Sequence, residues 1–324
     1  MKKKHFMLYL TIVFILLSLT FNVPAEKNND EIKIVCTNSV LADFTKNICP
    51  ENFTVDYIMP AGVCPAHFDI SPSDVSKIIN ADIIISLGWE PWLSKLLKNA
   101  AITNYSEIKC SNLGEWNIPS GAKKYVSKIS EELSKILTRY NQTIKMKTKS
   151  YLNQINKTAE QLKDMFTRFG YEECKVVCMQ WQKDFAEWLG LNVTASFGPP
   201  ETLSTRDKIN VTMTAKEENA ILIIDNLQSG TDFGEKLAQE VNAQHVVLNN
   251  FPGAIKKTDS YLEMINYNTI QIIQGINIYY YKQKNLGDLE EKNSQLELQR
   301  NISFALMIIT TTAAVTFYLM YKKK

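Results

Sequence analysis

The sequence predicts an α/β protein of two lobes, each a mostly parallel sheet flanked by helices, bridged by a single long rigid helix and followed by a C-terminal transmembrane helix. Three observations predict it. Short apolar β runs alternate with amphipathic stretches twice, once before residue 90 and again after residue 174, and such alternation implies parallel strands covered by crossover helices. A stretch with few breakers and helical apolar spacing separates the halves. Each end of the chain carries an uncharged apolar run beside lysines.

Residues 1–25 read as an export signal. Lys2, Lys3 and Lys4 precede an apolar run over 6–19, and Val23-Pro24-Ala25 ends in the small residue that signal cleavage requires. The N-terminal lobe, 26–120, then opens. Strands are expected at 32–37, 54–59 and 83–87, with helices at 40–48 and 75–80 between them. Ser71, or Ser73 after Pro72, can cap the second of these helices, and Asp74 suits its positive end. The preceding Cys64-Pro65-Ala66-His67 segment is thereby read as a loop fixed at a helix entry.

The connection, 121–170, carries two apolar stripes. Ile129, Leu133, Ile136 and Leu137 form one; Leu152, Ile155, Ala159, Leu162 and Phe166 form the other, which ends at Gly170. The second helix, from about Asn141, is long enough to join the lobes as a stiff rod. In the C-terminal lobe, 171–285, strands are expected at 175–179, 192–196, 221–225 and 246–248. Helices are expected at 181–189, after Asp207, at 233–241 and at 261–275. Residues 286–301 are charged and Gln-rich and suit a helical stalk. Residues 302–321 have the length of a membrane span, and Lys322, Lys323 and Lys324 would hold the tail 322–324 in the cytoplasm. The main body would then lie outside the cell.

Composition narrows the function. Lys and Arg total 36 against 34 Asp and Glu, a net charge of +2, which offers no basic field for nucleic acid. No nucleophile elbow, phosphate-cradling loop or His-Glu-x-x-His helix occurs, so an enzyme is not expected. Glycosylation sequons begin at Asn52, Asn104, Asn141, Asn156, Asn192, Asn210 and Asn301. They suit an exported glycoprotein and point towards an archaeal host. The six cysteines are dispersed rather than spaced as a disulfide scaffold, and their redox state stays open.

Pro60-Ala61-Gly62, Ser71-Pro72-Ser73-Asp74, Ala81-Asp82-Ile83-Ile84, Asp259-Ser260-Tyr261-Leu262-Glu263-Met264 and Tyr267-Asn268 together carry a resemblance. Over about 32–276 the chain resembles the metal-binding solute receptors of zinc and manganese ABC importers. The resemblance implies a monomeric extracytoplasmic receptor that captures a transition-metal ion between its lobes and delivers it to an ABC permease in the same membrane. Such receptors hold the ion with histidines and carboxylates from both lobes, and this chain departs from that set at each position. His67 stands one residue beyond the expected place, with Cys64 where an Asp is common. The second histidine maps near Gly114, the third to Met179 beside Cys178, one carboxylate near Glu201, and the last to Asn249.

Cys64, His67, Cys178, Met179, Glu201 and Asn249 are accordingly the candidate metal residues. Sulfur and imidazole suit zinc first and copper(I) second, and manganese poorly. All but His67 have a plainer reading: Cys64 and Cys178 as a disulfide or as small buried hydrophobes, Met179 as packing, Glu201 as an exposed carboxylate, Asn249 as a hydrogen-bonding amide. Trp89, Trp92, Trp116 and Trp181 could line a larger cleft or simply pack in the core. Two alternatives follow, a receptor for a metal chelate or other small molecule, and a surface-tethered interaction protein that has lost free-ion binding.

Overall fold

A computed structural model describes residues 31–99, 102–103, 105–110 and 116–322; at 66, 309, 313, 314 and 316–322 the side chains lie outside the described set. The proposed export signal and Gly114 also lie outside it.

The first lobe consists of β1 (Lys33–Asn38), α1 (Ser39–Ile48), β2 (Thr54–Met59), α2 (Pro72–Ile79), β3 (Ile83–Ser86), α3 (Pro91–Asn99) and β4 (Ser106–Lys109). Its parallel sheet runs β2-β1-β3-β4. β3 reads Ile-Ile-Ile-Ser and is buried throughout, as a central strand covered on both faces must be. The sequence left α3 and β4 unassigned; β4 has only four residues and one buried apolar side chain, too little for a periodicity signal.

Two antiparallel connecting helices follow, α4 (Pro119–Ile136) and α5 (Asn141–Phe169). α5 is 29 residues long, about 43 Å at the helical rise. It stops at Gly170, whose φ of 69° is the left-handed conformation that glycine adopts at a helix end. The second lobe contains β5 (Lys175–Met179), α6 (Lys183–Leu189), β6 (Asn192–Phe197), α7 (Thr205–Glu217), β7 (Leu222–Asn226), α8 (Asp232–Glu240) and β8 (Gln244–Leu248). Its order, β6-β5-β7-β8, repeats that of the first lobe.

The lobes share one apolar core. Ile34, Phe44 and Ile85 of the first, Tyr151, Ile155 and Phe166 of α5, and Cys178, Ile224 and Leu248 of the second belong to a single buried cluster. Asp43 of α1 ties the parts together, because its Oδ2 accepts from the Tyr151 hydroxyl at 2.9 Å and the Tyr261 amide at 3.1 Å.

One boundary departs from expectation. The closing helix does not end at Gly275; α9 runs unbroken from Tyr261 to Lys322. Gly275 is required for close approach instead, since a Cβ there would collide with the Val246 side chain of β8. A glycine inside a helix can therefore look like a stop when it is a packing contact. Beyond the lobe, from Tyr280 to Ile308, every residue of α9 is exposed. Among the described residues no helix is long and apolar enough to cross a membrane, so the expected span at 302–321 gains no support there.

Candidate functional site

In both sheets the strands run parallel, so their carboxyl ends form one edge, where ligands of such folds bind. The edges of the two lobes meet. Gln228, on the turn after β7, donates through Nε2 to Asn249 Oδ1 at 2.8 Å and to the Ala61 carbonyl of the first lobe at 2.9 Å. Its Oε1 accepts from the Asn250 amide at 3.2 Å. Asn249 is fully buried and saturated: Oδ1 also accepts from the Phe251 amide, Nδ2 reaches Thr258 Oγ1 at 3.4 Å, and the backbone exchanges two bonds with the Asn268 side chain.

A second tier crosses beside it. Gln182 Nε2 donates to Asn250 Oδ1 at 2.7 Å, Trp116 Nε1 to the Asn250 carbonyl at 2.8 Å, and Asn117 Nδ2 to the Trp181 carbonyl at 2.9 Å. At this edge the contacts between the lobes are made by neutral groups, mostly amides. At the same edges Thr37 Oγ1, Asn117 Oδ1, Gln182 Oε1 and Asn226 Nδ2 are buried with no hydrogen-bond partner among the described residues. These are polar atoms of the kind a bound ligand or water satisfies.

The first lobe carries two of the candidate residues, Cys64 and His67. Cys64 is half-buried and His67 exposed, in a 3-10 turn where the His67 amide bonds to the Cys64 carbonyl at 3.0 Å. Phe68 fixes that loop from behind, its ring packing edge-on 5.2 Å from Trp92. Ser71, not Ser73, caps α2, in a full capping box with Asp74. His67 and Cys64 thus sit on the well-braced helix entry that the sequence describes. Glu90, buried after β3, is occupied locally: its two carboxylate oxygens accept from the Leu87 amide at 2.8 Å and the Trp89 amide at 3.1 Å.

The remaining candidates are separated. Cys178 and Met179 are consecutive on β5 and therefore face opposite sides of the sheet. Cys178 packs in the shared core and Met179 in the cluster with Phe197 and Ile223, both with no exposed surface. Burial pushes the Cys178 thiol up to about 12, which keeps it protonated and disfavours the thiolate a metal needs. Glu201 is exposed on a turn after β6. No group of three or more His, Cys, Asp and Glu side chains gathers to hold a metal ion among the described residues. All six cysteines are free thiols, so no disulfide joins Cys64 to Cys178.

Sequence reasoning singled out Asn249 but missed Gln228, Gln182 and Asn117. Nothing in their local sequence distinguishes an amide that spans two lobes from one facing solvent. Elsewhere in the second lobe, His245 Nε2 lies 2.8 Å from Asp225 Oδ2. Asp225 is fully buried, and Gly234 of α8 passes so close that any side chain there would strike its carboxylate. Burial raises the Asp225 pKa, and the hydrogen bond from His245 acts in the opposite sense.

Comparisons with known proteins agree with this architecture. A family model described as zinc-uptake complex component A, periplasmic, matches residues 34–275. The manganese ABC transporter substrate-binding lipoprotein PsaA of Streptococcus mitis is 23% identical over 308 residues, covering 84% of this chain and 97% of its own. The iron ABC transporter substrate-binding lipoprotein MtsA of Streptococcus pyogenes serotype M1 is 24% identical over 304 residues, covering 82% and 95%. Among solved structures, ZnuA superposes with a TM-score of 0.62 at 18% identity, covering 74% of this chain and 97% of its own. A Mn-bound periplasmic metal binding protein from candidatus liberibacter asiaticus gives 0.62 at 18%, covering 76% and 99%. At that identity the structural likeness is one of fold. The Streptococcus relatives are bacterial and lend no support to an archaeal host.

Proposed function

We propose, from the premise that this chain belongs to the family of the periplasmic zinc-uptake component A, that it is the extracytoplasmic substrate-binding component of a metal ABC importer. Relatives across nearly its whole length are substrate-binding proteins of transporters, so it is a binding protein and not an enzyme. The observation that carries the reading is the meeting of two topologically equivalent sheet edges across the Gln228–Ala61 contact, the place where such a fold takes its ligand. Cargo would enter between the lobes and pass to a permease in the same membrane. The cargo is read as a transition-metal ion, zinc before copper(I), approached first by His67 and Cys64 of the braced loop. Any further ligands, Glu201 among them, would have to come from rearrangement as cargo enters. The apolar run 302–321 with its three lysines is read as the anchor, where the relatives are named lipoproteins.

One observation favours a second reading. The second-lobe side chains at the seam are neutral amides, and Asn249 already uses its side-chain oxygen within the protein, so they offer no charge to balance a bare divalent cation. A cargo that brings its own ligands, a metal chelate, suits such a wall better. Calorimetric titration of the reduced full-length chain with zinc and copper(I) separates the two. Uptake that His67→Ala with Cys64→Ala abolishes supports the free ion. No uptake, with metal and an organic ligand found together in native mass spectra of protein from its own host, supports the chelate. Absence of both, in protein as isolated and after titration, overturns the receptor reading.

A further inference from the structure

The part of α9 beyond the second lobe forms a single helix with solvent on every side. From Tyr280 to Arg300 it extends about 30 Å at the helical rise. An isolated helix of mixed polarity gains nothing from standing alone, yet this one carries a patterned face. Leu286, Leu289, Asn293 and Leu296 follow spacings of three, four and three residues, which places them on one stripe. The three leucines are 52%, 54% and 54% exposed. Leu298 falls off the stripe.

We propose that this segment is the contact surface for a second copy of the same chain, the two helices forming a short parallel coiled coil. With Leu286 and Asn293 at the a positions and Leu289 and Leu296 at d, the flanking e positions are Glu290 and Glu297 and one flanking g position is Lys292. In a parallel pair the g residue faces the e residue five positions on in the other helix, so Lys292 meets Glu297 twice by symmetry, an attractive contact. In an antiparallel pair e faces e, which sets glutamates against glutamates. The charges therefore select one orientation. Asn293 at a agrees, because a lone asparagine there pairs with its copy across a parallel two-stranded seam and disfavours other registers and higher oligomers.

The seam spans only about two heptads, short for an isolated peptide. Here the helix is already formed. Its upper end is held on the second lobe by the Tyr171 hydroxyl on Asn277 Oδ1 and by Lys282 Nζ donating to Gln244 Oε1 at 2.8 Å. Association has no helix nucleation to overcome. This makes a dimer of the chain that the sequence suggests is monomeric, with both binding bodies on the same side of the stalk.

The test uses the full-length chain in its host membrane and in mild detergent. Oxidative cross-linking of Leu289→Cys should give a band of twice the chain mass, while Glu291→Cys on the opposite face and the parent chain should not. In detergent the parent should have twice the protein mass of one chain. Leu289→Glu with Leu296→Glu should halve it without changing the thermal transition of the lobes, since both leucines are exposed. Asn293→Leu should keep the chains associated and add larger assemblies. A monomeric parent, equal cross-linking at 289 and 291, or a Leu289→Cys product with the mass of a different protein would each overturn the proposal.

Discussion

The two lobes share a strand order, and their facing edges differ in chemistry. The first lobe leaves its candidate side chains accessible: His67 is exposed and Cys64 half-buried on a braced turn. At the second lobe's edge Asn249, Gln228, Asn250 and Gln182 are bonded to one another, and Gln228 and the Asn250 carbonyl also bond to the first lobe. The difference teaches that one topology can supply two functions at equivalent positions. One edge leaves side chains accessible to solvent, and the other ties the lobes together.

Substitutions at the second edge should break this contrast most. Asn249→Leu removes the acceptor of both Gln228 Nε2 and the Phe251 amide inside the protein, and each orphaned buried donor is unfavourable. A loss of about 3 kcal/mol is expected in urea unfolding. Gln228→Leu deletes the bond to Ala61 and the acceptor of the Asn250 amide. It should lose about 2 kcal/mol and, unlike Asn249→Leu, widen the separation of the lobes in small-angle scattering.

A smaller effect should appear as pH dependence confined to the second lobe. Burial raises the Asp225 pKa, so the fold favours the neutral acid. The stabilisation is full below the unfolded value, about 3.9, and is lost as pH rises through the folded value. Asp225→Asn should therefore show a flatter urea midpoint across that window than the parent, whose midpoint falls. Equal slopes for the two proteins would contradict the assignment.

The smallest effects should come from the open edge. His67→Ala and Glu201→Ala are expected to change stability by no more than about 0.5 kcal/mol, as exposed side chains generally do. A thiol reagent sharpens the contrast in the same samples: Cys64 should react in the native state, whereas Cys178, buried and held up to about 12, should react only on unfolding. Rapid native labelling of Cys178 would show that the seam opens readily.

Much of this architecture is legible in the sequence because it rests on local periodicity. The apolar runs at Ile83-Ile84-Ile85 and Val176-Val177-Cys178, the stripe through Ile155, Leu162 and Phe166, and the Ser71–Asp74 cap all signal their elements within a few residues. β4 is too short to carry a pattern, α3 carries Leu93, Leu96 and Leu97 at a helical spacing that was passed over, and Gly275 misled because a close contact and a helix stop call for the same residue. The candidate site was less legible. His67 and Cys64 could be placed on a fixed loop from the cap beside them. Cys178 and Met179 are adjacent at the end of an expected strand, and the alternation of a strand sends them to opposite cores.

What the sequence determined by itself is therefore the two-lobed α/β plan, the rod between the lobes and the braced loop that carries His67. These follow from spacing along the chain. Only the tertiary structure decided that Gln228 reaches Ala61, that Gln182 and Trp116 converge on Asn250, and that Asp225 pairs with His245. Those contacts join residues from 20 to 167 positions apart, and an amide's local sequence carries no record of the partner that folding brings to it.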